Sequence, residues 1–331
     1  MSSDRTAGPA GRVLLVGLGP TAADAFAALY QRFPVVGLIR PDQDEVAERA
    51  SEAGVDVVAD TSIDTLERLI SERRPDCVVV SSYHRIIPPE VIGRCPFVNV
   101  HYAPLPAYRG RATVNWAIIN GERETAITIH TMAPGLDAGR ILRQEKVSIE
   151  PADTVTDLYR KLNARQRALL GAAVDDCLAG VAGEEQDEAV ATYACSRVPR
   201  DGEIDWSLPT KVIDRLVRAL TDPYPGAFTY LGTQRLWVRR GVPVADAPTY
   251  VGRVPGRVVR VVATEGFVDV LTGDGIYRLY DLRVEGSAAT TPASAVVRSV
   301  KDTLGLGPAV LLERLESLER ELIELRARAH G

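Results

Sequence analysis

The sequence predicts an α/β protein with a mostly parallel sheet that carries helices on both faces, followed by a smaller β-rich domain and a terminal helix. Three observations predict this class. Strand-like and helix-like segments alternate through the first half, and the strand-like segments are continuous apolar runs, as in parallel strands buried on both faces. After about residue 200, short β-like runs separated by glycine and proline take over. The length of 331 residues suits two domains.

The first half supplies the predicted sheet and its helices. The strand candidates are the apolar runs 12–17, 34–39, 55–58, 77–80, 98–100 and 126–130. The helix candidates are 21–33, 42–53, 62–72 and 154–178. Because strand and helix alternate, we expect a parallel sheet covered on both faces. Residues 180–190 are acidic and rich in glycine and alanine, which predicts a surface loop or linker.

The second half predicts one helix and then a small β-barrel. The helix candidate is 208–220, and the β-like runs are 227–231, 236–239, 258–263, 268–271 and 277–280. Glycine and proline separate these runs, for example at Gly232, Pro255 and Gly266. Many short strands with turn residues between them are typical of a small barrel.

The last segment, residues 301–331, predicts a helix with a leucine stripe. The stripe consists of Leu311, Leu315, Leu318, Leu322 and Leu325, at spacings of four and three residues. The simpler interpretation is a helix packed against its own chain. The alternative is a two-heptad contact that forms a homodimer, although coiled coils usually need three or four heptads.

Composition excludes several classes of protein. The chain has 39 lysines and arginines against 44 aspartates and glutamates, a net charge of −5. Residues 1–200 hold 22 basic and 27 acidic residues, and the remainder holds 17 of each. A basic surface for nucleic acid is therefore not expected. No apolar run reaches the roughly 18–20 residues of a membrane span, and Met1–Arg12 lacks the layout of a secretory signal.

The cysteines indicate a reducing compartment. Cys77, Cys95, Cys177 and Cys195 are widely spaced, without the pattern of a metal site. We therefore expect free thiols in a cytoplasmic protein, with neither a metal site nor a disulfide framework.

A glycine-rich turn follows the first strand-like run. Gly17–Ala22 fits a dinucleotide-binding pattern, and Asp42 and Asp44 follow the second run, where a ribose-binding acid would stand. Pro20 removes a backbone N–H that would face a pyrophosphate. Two interpretations stay open, the nicotinamide site of an oxidoreductase and a structural strand-to-helix turn, and Pro20 favours the turn.

A dense group of polar residues lies between residues 99 and 137. Asn99 and His101 stand two apart in a strand-like run and so point to one side, and Asp137 follows a Pro-Gly-Leu turn. An imidazole that accepts a proton from an amine, a carboxylate that orients the imidazole and an amide N–H that stabilises an oxyanion form an acyl-transfer set. The alternative is structural, such as a carboxylate that caps its own turn.

The segments around these residues closely resemble the 10-formyltetrahydrofolate-dependent formyltransferase family. The segments that carry the resemblance are 97–111, 115–121, 125–130 and 135–141. The family pattern is roughly NxHxSLLPxxRG followed by GxTxHxxxxxxDxGxI, and its catalytic Asn, His and Asp fall on Asn99, His101 and Asp137. Residues 202–206 and 218–228 resemble the junction to the family's C-terminal domain.

The resemblance implies a fold and a formyl donor. It implies a Rossmann-like catalytic domain over residues 1–200, an OB-like β-barrel domain over 201–300 and an amphipathic helix over 301–331. The implied donor is 10-formyltetrahydrofolate, with no metal. The implied donor contacts are Tyr83, Arg85, Ile86, Ile87 and Leu136. A non-catalytic folate-binding protein would have lost one of the three catalytic residues, and all three are present.

The acceptor of the formyl group is less firmly implied, because Ala103-Pro104 and Thr113 depart from the pattern in the substrate-facing loop, and Ala126 departs elsewhere. The motifs look most like the sugar-nucleotide branch, as in the 4-amino-4-deoxy-L-arabinose formyltransferase. An amino sugar on a nucleotide is therefore the preferred acceptor, and an amino acid such as N-hydroxyornithine is the alternative.

Methionyl-tRNA, a third acceptor, is disfavoured because residues 40–45 are acidic and the second half is neutral. The candidate acceptor contacts are Arg109, Gly110, Arg111 and Asn115. Either arginine can hold a phosphate or a carboxylate with two parallel hydrogen bonds. Both small-molecule acceptors carry such an anion, so the arginines do not separate them.

Overall fold

The computed structural model of the protein describes residues 11–41 and 43–329. The chain forms two compact units. The first holds most of the chain up to Ser196, and the second runs from Arg197 and also takes in Ile118–Gly121 and Thr154–Thr156. Asp42 and residues 1–10, considered above, lie outside the described residues.

The elements up to Ser196 alternate between strand and helix as the sequence predicts. In chain order they are β1 (Val13–Gly17), α1 (Ala22–Tyr30), β2 (Val35–Ile39), α2 (Glu45–Glu52), β3 (Val57–Val58), α3 (Ile63–Arg73), β4 (Cys77–Ser81), α4 (Pro89–Ile92), β5 (Phe97–His101), β6 (Arg109–Gly110), α5 (Thr113–Asn120), β7 (Glu124–Thr131), β8 (Ile141–Ser148), α6 (Val155–Leu178) and β9 (Tyr193–Ala194). Local capping fixes some of these starts: the Ser62 side chain accepts a hydrogen bond from the Thr65 amide at the start of α3.

Seven of these strands form one sheet in the order β3-β2-β1-β4-β5-β7-β8. β1 to β5 pair in parallel, and β7 runs antiparallel to both β5 and β8. Every residue of the central strands β1 and β4 is buried, which explains their continuous apolar sequence. The predicted mostly parallel sheet is confirmed. β8 was not predicted, because this edge strand is largely exposed and carries no apolar run.

The second unit is an antiparallel sheet with helices. Its elements are α7 (Thr210–Ala219), β10 (Ala227–Leu231), β11 (Gln234–Pro243), β12 (Val258–Val262), β13 (Phe267–Leu271), β14 (Ile276–Val284), β15 (Thr290–Pro292), α8 (Ala293–Val296) and α9 (Pro308–Ala329). The strands pair in the order β10-β11-β14-β13-β12, with β15 beside β14. The predicted β-rich domain and terminal helix are confirmed, whereas closure of the sheet into an OB-like barrel stays a prediction.

The leucine stripe of α9 is left exposed by the described residues of the chain. Leu311, Leu315, Leu318, Leu322 and Leu325 keep between 44% and 62% of their surface exposed. The simpler interpretation of the stripe, burial within the same chain, is therefore wrong for these five side chains. Among the described residues, no helix has both the length and the apolar composition needed to cross a membrane.

The turn after β1 is held by protein contacts. The buried Arg40 donates from Nη1 to the carbonyl of Gly17 at 2.9 Å, and from Nε to Asp44 Oδ1 at 2.8 Å. This guanidinium lowers the pKa of Asp44 to about 2, and the same carboxylate accepts from the Ala47 amide at the start of α2. The glycine turn and Asp44 therefore have structural partners.

Candidate active site

Two neighbouring strands place the first polar side chains of the site. Asn99 and His101 lie two residues apart on β5, so they share one face of the sheet. Asn99 stands directly opposite His130 of the antiparallel strand β7. Side chains at such paired positions project to the same side, and the rings of His101 and His130 meet edge to face with centroids 6.5 Å apart.

The third predicted residue, Asp137, reaches this group from a turn between β7 and β8. Its backbone is left-handed, with φ of +48°. Its Oδ1 lies 3.5 Å from Asn99 Nδ2 and 3.9 Å from His130 Nε2, and its Oδ2 lies 3.7 Å from His101 Nδ1. One carboxylate therefore faces the amide and both imidazoles.

Backbone carbonyls determine which nitrogen of each imidazole carries the proton. His101 Nε2 lies 2.8 Å from the carbonyl oxygen of Tyr108, and His130 Nδ1 lies 2.7 Å from that of Thr131. A carbonyl oxygen only accepts, so each of these nitrogens is a donor. In the neutral rings, the lone pair of His101 is therefore on Nδ1, which faces Asp137, and that of His130 is on Nε2.

His130 fixes the orientation of the Asn99 amide. Asn99 Nδ2 lies 3.0 Å from His130 Nε2, which accepts its hydrogen bond. Burial lowers the pKa of His130 to about 4, so the ring is neutral near pH 7 and keeps this acceptor. Because one N–H of the Asn99 amide donates to His130, the second N–H points toward Asp137.

Gly110, in β6 between β5 and α5, supports the carboxylate. Its amide donates to Asp137 Oδ2 at 2.8 Å. Its φ is +105°, and a Cβ at this position would lie 2.7 Å from the carbonyl oxygen of Ala194, which pairs with Gly110 across β6 and β9. Only glycine tolerates both the conformation and the close approach.

A second layer of polar contacts holds the turn of Asp137. The buried Gln186 donates from Nε2 to the carbonyls of Asp137 and Gly139, each at 2.7 Å. Arg109 donates to Gln186 Oε1 at 2.8 Å and binds Glu188 with two hydrogen bonds of 2.6 and 2.8 Å. The segment predicted as a surface loop or linker thus positions Asp137.

The two arginines between β5 and α5 occupy different environments. The side chain of Arg109 is buried and engaged by Gln186 and Glu188, whereas Arg111 is exposed. Asn115 is buried in α5. Of the two guanidiniums predicted to hold an anion, only that of Arg111 is presented to solvent.

Comparison with known families identifies the chain. The profile of the family described as formyl transferase matches residues 40–174, and that of the formyl transferase C-terminal domain matches residues 198–299. Together the two matches cover more than half of the chain. The chain belongs to the formyl transferase family. Asn99, His101 and Asp137 all lie within the first match.

Solved structures share the fold of this formyl transferase. HypX from Aquifex aeolicus in complex with tetrahydrofolic acid is 19% identical, with a TM-score of 0.63 over 88% of this chain and 47% of HypX. WlaRD, a sugar 3N-formyl transferase in the presence of dTDP and 5-N-formyl-THF, is 16% identical, with a TM-score of 0.61 over 85% of this chain and 100% of WlaRD.

A methionyl-tRNA formyltransferase from Clostridium thermocellum is 18% identical, with a TM-score of 0.53 over 70% of this chain and 92% of that enzyme. This formyl transferase spans about half the length of HypX. At these identities, the likeness concerns the fold.

The predicted donor contacts of the formyl transferase differ in exposure. Ile86 and Leu136 are exposed, at 89% and 52% of their surface, and Arg85 is exposed as well. Tyr83 is half-buried and donates its hydroxyl to the carbonyl of Thr61 at 2.6 Å. Ile87 belongs to the buried cluster around β4 and β5, so only its backbone is available to a ligand.

Sequence reasoning missed Gln186 and Glu188. Gln186 is the single glutamine of an acidic loop, which is a weak signal on its own. Among the described residues, no cluster of three histidine, cysteine, aspartate or glutamate side chains could hold a metal ion.

Proposed function

We propose that this formyl transferase moves a formyl group from 10-formyltetrahydrofolate to the amine of a small molecule, with an amino sugar on a nucleotide as the acceptor. The observation that carries the proposal is the position of Asp137. Its carboxylate faces both the unprotonated nitrogen of His101 and the amide nitrogen of Asn99. A base, its carboxylate partner and an oxyanion donor are thereby assembled at one point.

The residues around this point suit a folate. Leu136, directly before Asp137, and Ile86, in the loop after β4, present apolar side chains to solvent. A flat pterin ring gains by covering such exposed apolar surface, and backbone groups of the same loops can pair with its polar edge. The bound folate supplies an electrophilic formyl carbon. Tyr83, Arg85 and the backbone of Ile87 are the other candidate contacts.

His101 acts as the base in this scheme. Its Nε2–H is held by the carbonyl of Tyr108, so Nδ1 is the nitrogen that accepts a proton from the acceptor amine. The resulting imidazolium lies beside the Asp137 carboxylate, with Nδ1 3.7 Å from Oδ2. Asp137 is itself fixed by Gly110 and Gln186, so little reorganisation is needed.

Asn99 stabilises the negative charge that develops on the formyl oxygen when the acceptor amine attacks the formyl carbon. As this adduct collapses, the bond from the formyl carbon to the folate nitrogen N10 breaks, and N10 receives the proton that His101 accepted, so that tetrahydrofolate leaves. One N–H of the Asn99 amide donates to His130. The other points toward Asp137 Oδ1, which lies 3.5 Å from Asn99 Nδ2, so this hydrogen bond is long and a stronger acceptor can replace it. A fixed donor of this kind typically contributes about 10²–10³ in rate.

The acceptor class rests on charge and on Arg111. A sugar nucleotide carries phosphates that an exposed guanidinium can bind with paired hydrogen bonds, and Arg111 is exposed in the loop next to Gly110. The net charge of −5 opposes a polyanion such as tRNA. N-hydroxyornithine, with its carboxylate, is the alternative acceptor.

The cysteines support a cytoplasmic location for this reaction. Cys77, Cys95, Cys177 and Cys195 are all free thiols in the fold. Free cysteines are typical of proteins that work in a reducing compartment.

The test is an acceptor screen with 10-formyltetrahydrofolate as donor. Nucleotide-linked amino sugars, N-hydroxyornithine and other small amines are each incubated with the protein, and tetrahydrofolate release is followed together with the mass gain of one formyl group. We expect a nucleotide-linked amino sugar to be the best acceptor. Asn99→Ala, His101→Ala and Asp137→Ala should each lower its turnover by about 10²–10⁴-fold, because each removes a group that meets the reacting atoms.

Two further variants separate chemistry from folding. Asp137→Asn keeps the shape and an acceptor for the Gly110 amide but removes the charge, so it should lose most activity while remaining folded. Glu48→Ala removes an exposed carboxylate of α2, outside the proposed donor and acceptor contacts, and should leave turnover unchanged. Full turnover in all three alanine variants contradicts the assigned roles, and preference for N-hydroxyornithine contradicts the acceptor class alone.

A further inference from the structure

We propose that α9 joins two copies of this chain in a parallel, in-register coiled coil. The helix runs for 22 residues, from Pro308 to Ala329. Seven large apolar side chains along it are exposed: Leu311, Leu312, Leu315, Leu318, Leu322, Ile323 and Leu325. Exposed apolar surface of this extent on one helix marks an interaction site, and its pattern identifies the occupant.

The leucine spacing is that of a coiled-coil seam. In a seven-residue repeat lettered a to g, Leu315 and Leu322 fall at position a, and Leu311, Leu318 and Leu325 fall at d. A repeat of 3.5 residues keeps such side chains against a partner helix along its whole length. Every a and d position from 311 to 325 is leucine, so the stripe is complementary to a second copy of itself.

The flanking charges select a parallel dimer. Arg314 and Glu321 occupy g positions, and Glu319 and Arg326 occupy the following e positions. In a parallel coiled coil, each g residue meets the e residue five positions later on the other helix. Arg314 then faces Glu319 of the second copy, and Glu321 faces Arg326. Since the dimer is symmetric, four opposite-charge pairs form and no like-charge pair does.

Antiparallel arrangements fit less well. In them g meets g and e meets e, and at most four leucine layers overlap instead of five. In one antiparallel register, residues 315 to 325 of one copy lie along the same residues of the other copy. Glu321 then meets Glu321 of the second copy, and Glu319 meets Glu319, and both contacts are repulsive. The register that overlaps residues 311 to 322 offers only the two symmetric contacts between Arg314 and Glu321.

Within one chain, these charged side chains already line the edge of the seam. Arg314 Nη1 lies 3.5 Å from Glu321 Oε1, one repeat away along the same side of the helix. The guanidinium therefore lies along the edge, where it can reach a partner helix. By contrast, Glu324 and Arg328 pair at 3.9 Å, nearer the end of the helix.

The experiment measures the mass of the full chain by sedimentation equilibrium over about 1–100 µM, the range in which a coiled coil of just over two heptads is expected to equilibrate. The wild type should form a dimer. Leu318→Glu puts a charge into the middle of the seam and should weaken dimerisation by at least about tenfold, because a charge in an apolar interface is costly. Leu318 is exposed in the single chain, so the variant keeps its fold, and circular dichroism and turnover check this.

Charge variants test the orientation. Glu319→Arg should weaken the parallel dimer about three- to tenfold, since the introduced guanidinium would face Arg314 of the second copy, and the double variant Arg314→Glu with Glu319→Arg should restore it. Glu316→Arg, at a b position away from the seam, makes the same charge change and should have no effect. A chain that is monomeric throughout, a dimer indifferent to Leu318→Glu, or one that Glu319→Arg strengthens overturns the proposal.

Discussion

At the scale of single residues, the candidate site depends on a histidine that takes no part in the proposed proton transfer. His130 is buried and neutral, and its Nε2 accepts the hydrogen bond that orients the Asn99 amide. Asn99, His101 and Asp137 could be chosen from the sequence, because two of them share a strand face and a family pattern contains all three. Gln186 could not be chosen, because its contacts to Asp137 exist only after distant loops meet.

The depressed pKa of His130 makes part of the stability depend on pH. The unfolded chain binds a proton at His130 with an ordinary pKa near 6.5, and the folded chain does so only near 4. The corresponding stability is present above pH 6.5 and is lost as the pH falls toward 4. It amounts to about 3 kcal/mol, the free energy that corresponds to the difference between a pKa of 6.5 in the unfolded chain and about 4 in the folded chain.

His130→Gln tests this dependence, because glutamine does not titrate and its amide oxygen can still accept from Asn99. We expect its free energy of unfolding to fall less than that of the wild type between pH 6.5 and 4, as measured by denaturant titrations followed by fluorescence. His84→Gln, at an exposed position, should keep the wild-type slope. Equal slopes for wild type and His130→Gln would show that the buried ring does not resist protonation.

At the scale of elements, burial decides what the sequence can predict. β1 and β4 are buried on both faces and appear as unbroken apolar runs, so their existence was predictable. β8 lies at the sheet edge and is largely exposed, so it has no apolar run. β6 and β9 have two residues each, which is too short for a periodic pattern to predict them. The short pairing of β6 with β9 nevertheless brings the amide of Gly110 to Asp137.

Gly110→Ala should disturb this pairing and the site together. An added Cβ would lie 2.7 Å from the Ala194 carbonyl at a φ of +105°, so the backbone must shift, and such strain typically costs about 1–3 kcal/mol. The shift lengthens the hydrogen bond from Gly110 to Asp137 Oδ2. We expect a lower midpoint of thermal unfolding and at least about tenfold slower formyl transfer, since misplacing a catalytic group by 1 Å can cost about 10²-fold.

The matched control for this variant is Gly252→Ala. At that glycine an added Cβ meets no heavy atom within 4 Å, so neither stability nor turnover should change. If Gly110→Ala behaved like Gly252→Ala, the left-handed turn at Gly110 would not be what fixes the Asp137 carboxylate.

At the scale of the whole molecule, charge is divided unevenly along the chain. Residues 1–200 carry 22 basic and 27 acidic residues, and the rest carry 17 of each. Near residue 200 the alternation of strand-like and helix-like segments gives way to short β-like runs, and this change predicted the β-rich second part. Such a change is visible in the sequence because the burial of each element determines its apolar pattern, and that pattern extends over many residues. The acceptor could not be predicted so directly, since it depends on a few loop side chains such as Arg111, whose exposure appears only in the fold.

The charge balance predicts that tRNA is neither an acceptor nor a tight ligand. A protein that binds a polyanion by neutralising phosphates loses affinity steeply as salt rises, and it needs clustered lysine and arginine to do so. Neither part of this chain has an excess of basic residues. We therefore expect turnover of the best small amine to be nearly constant between about 50 and 200 mM salt, with tRNA at about 10 µM not inhibiting it. The same assay with methionyl-tRNA as acceptor should show no mass gain, whereas formylation of methionyl-tRNA as fast as that of the best small amine would contradict both the charge argument and the proposed acceptor class.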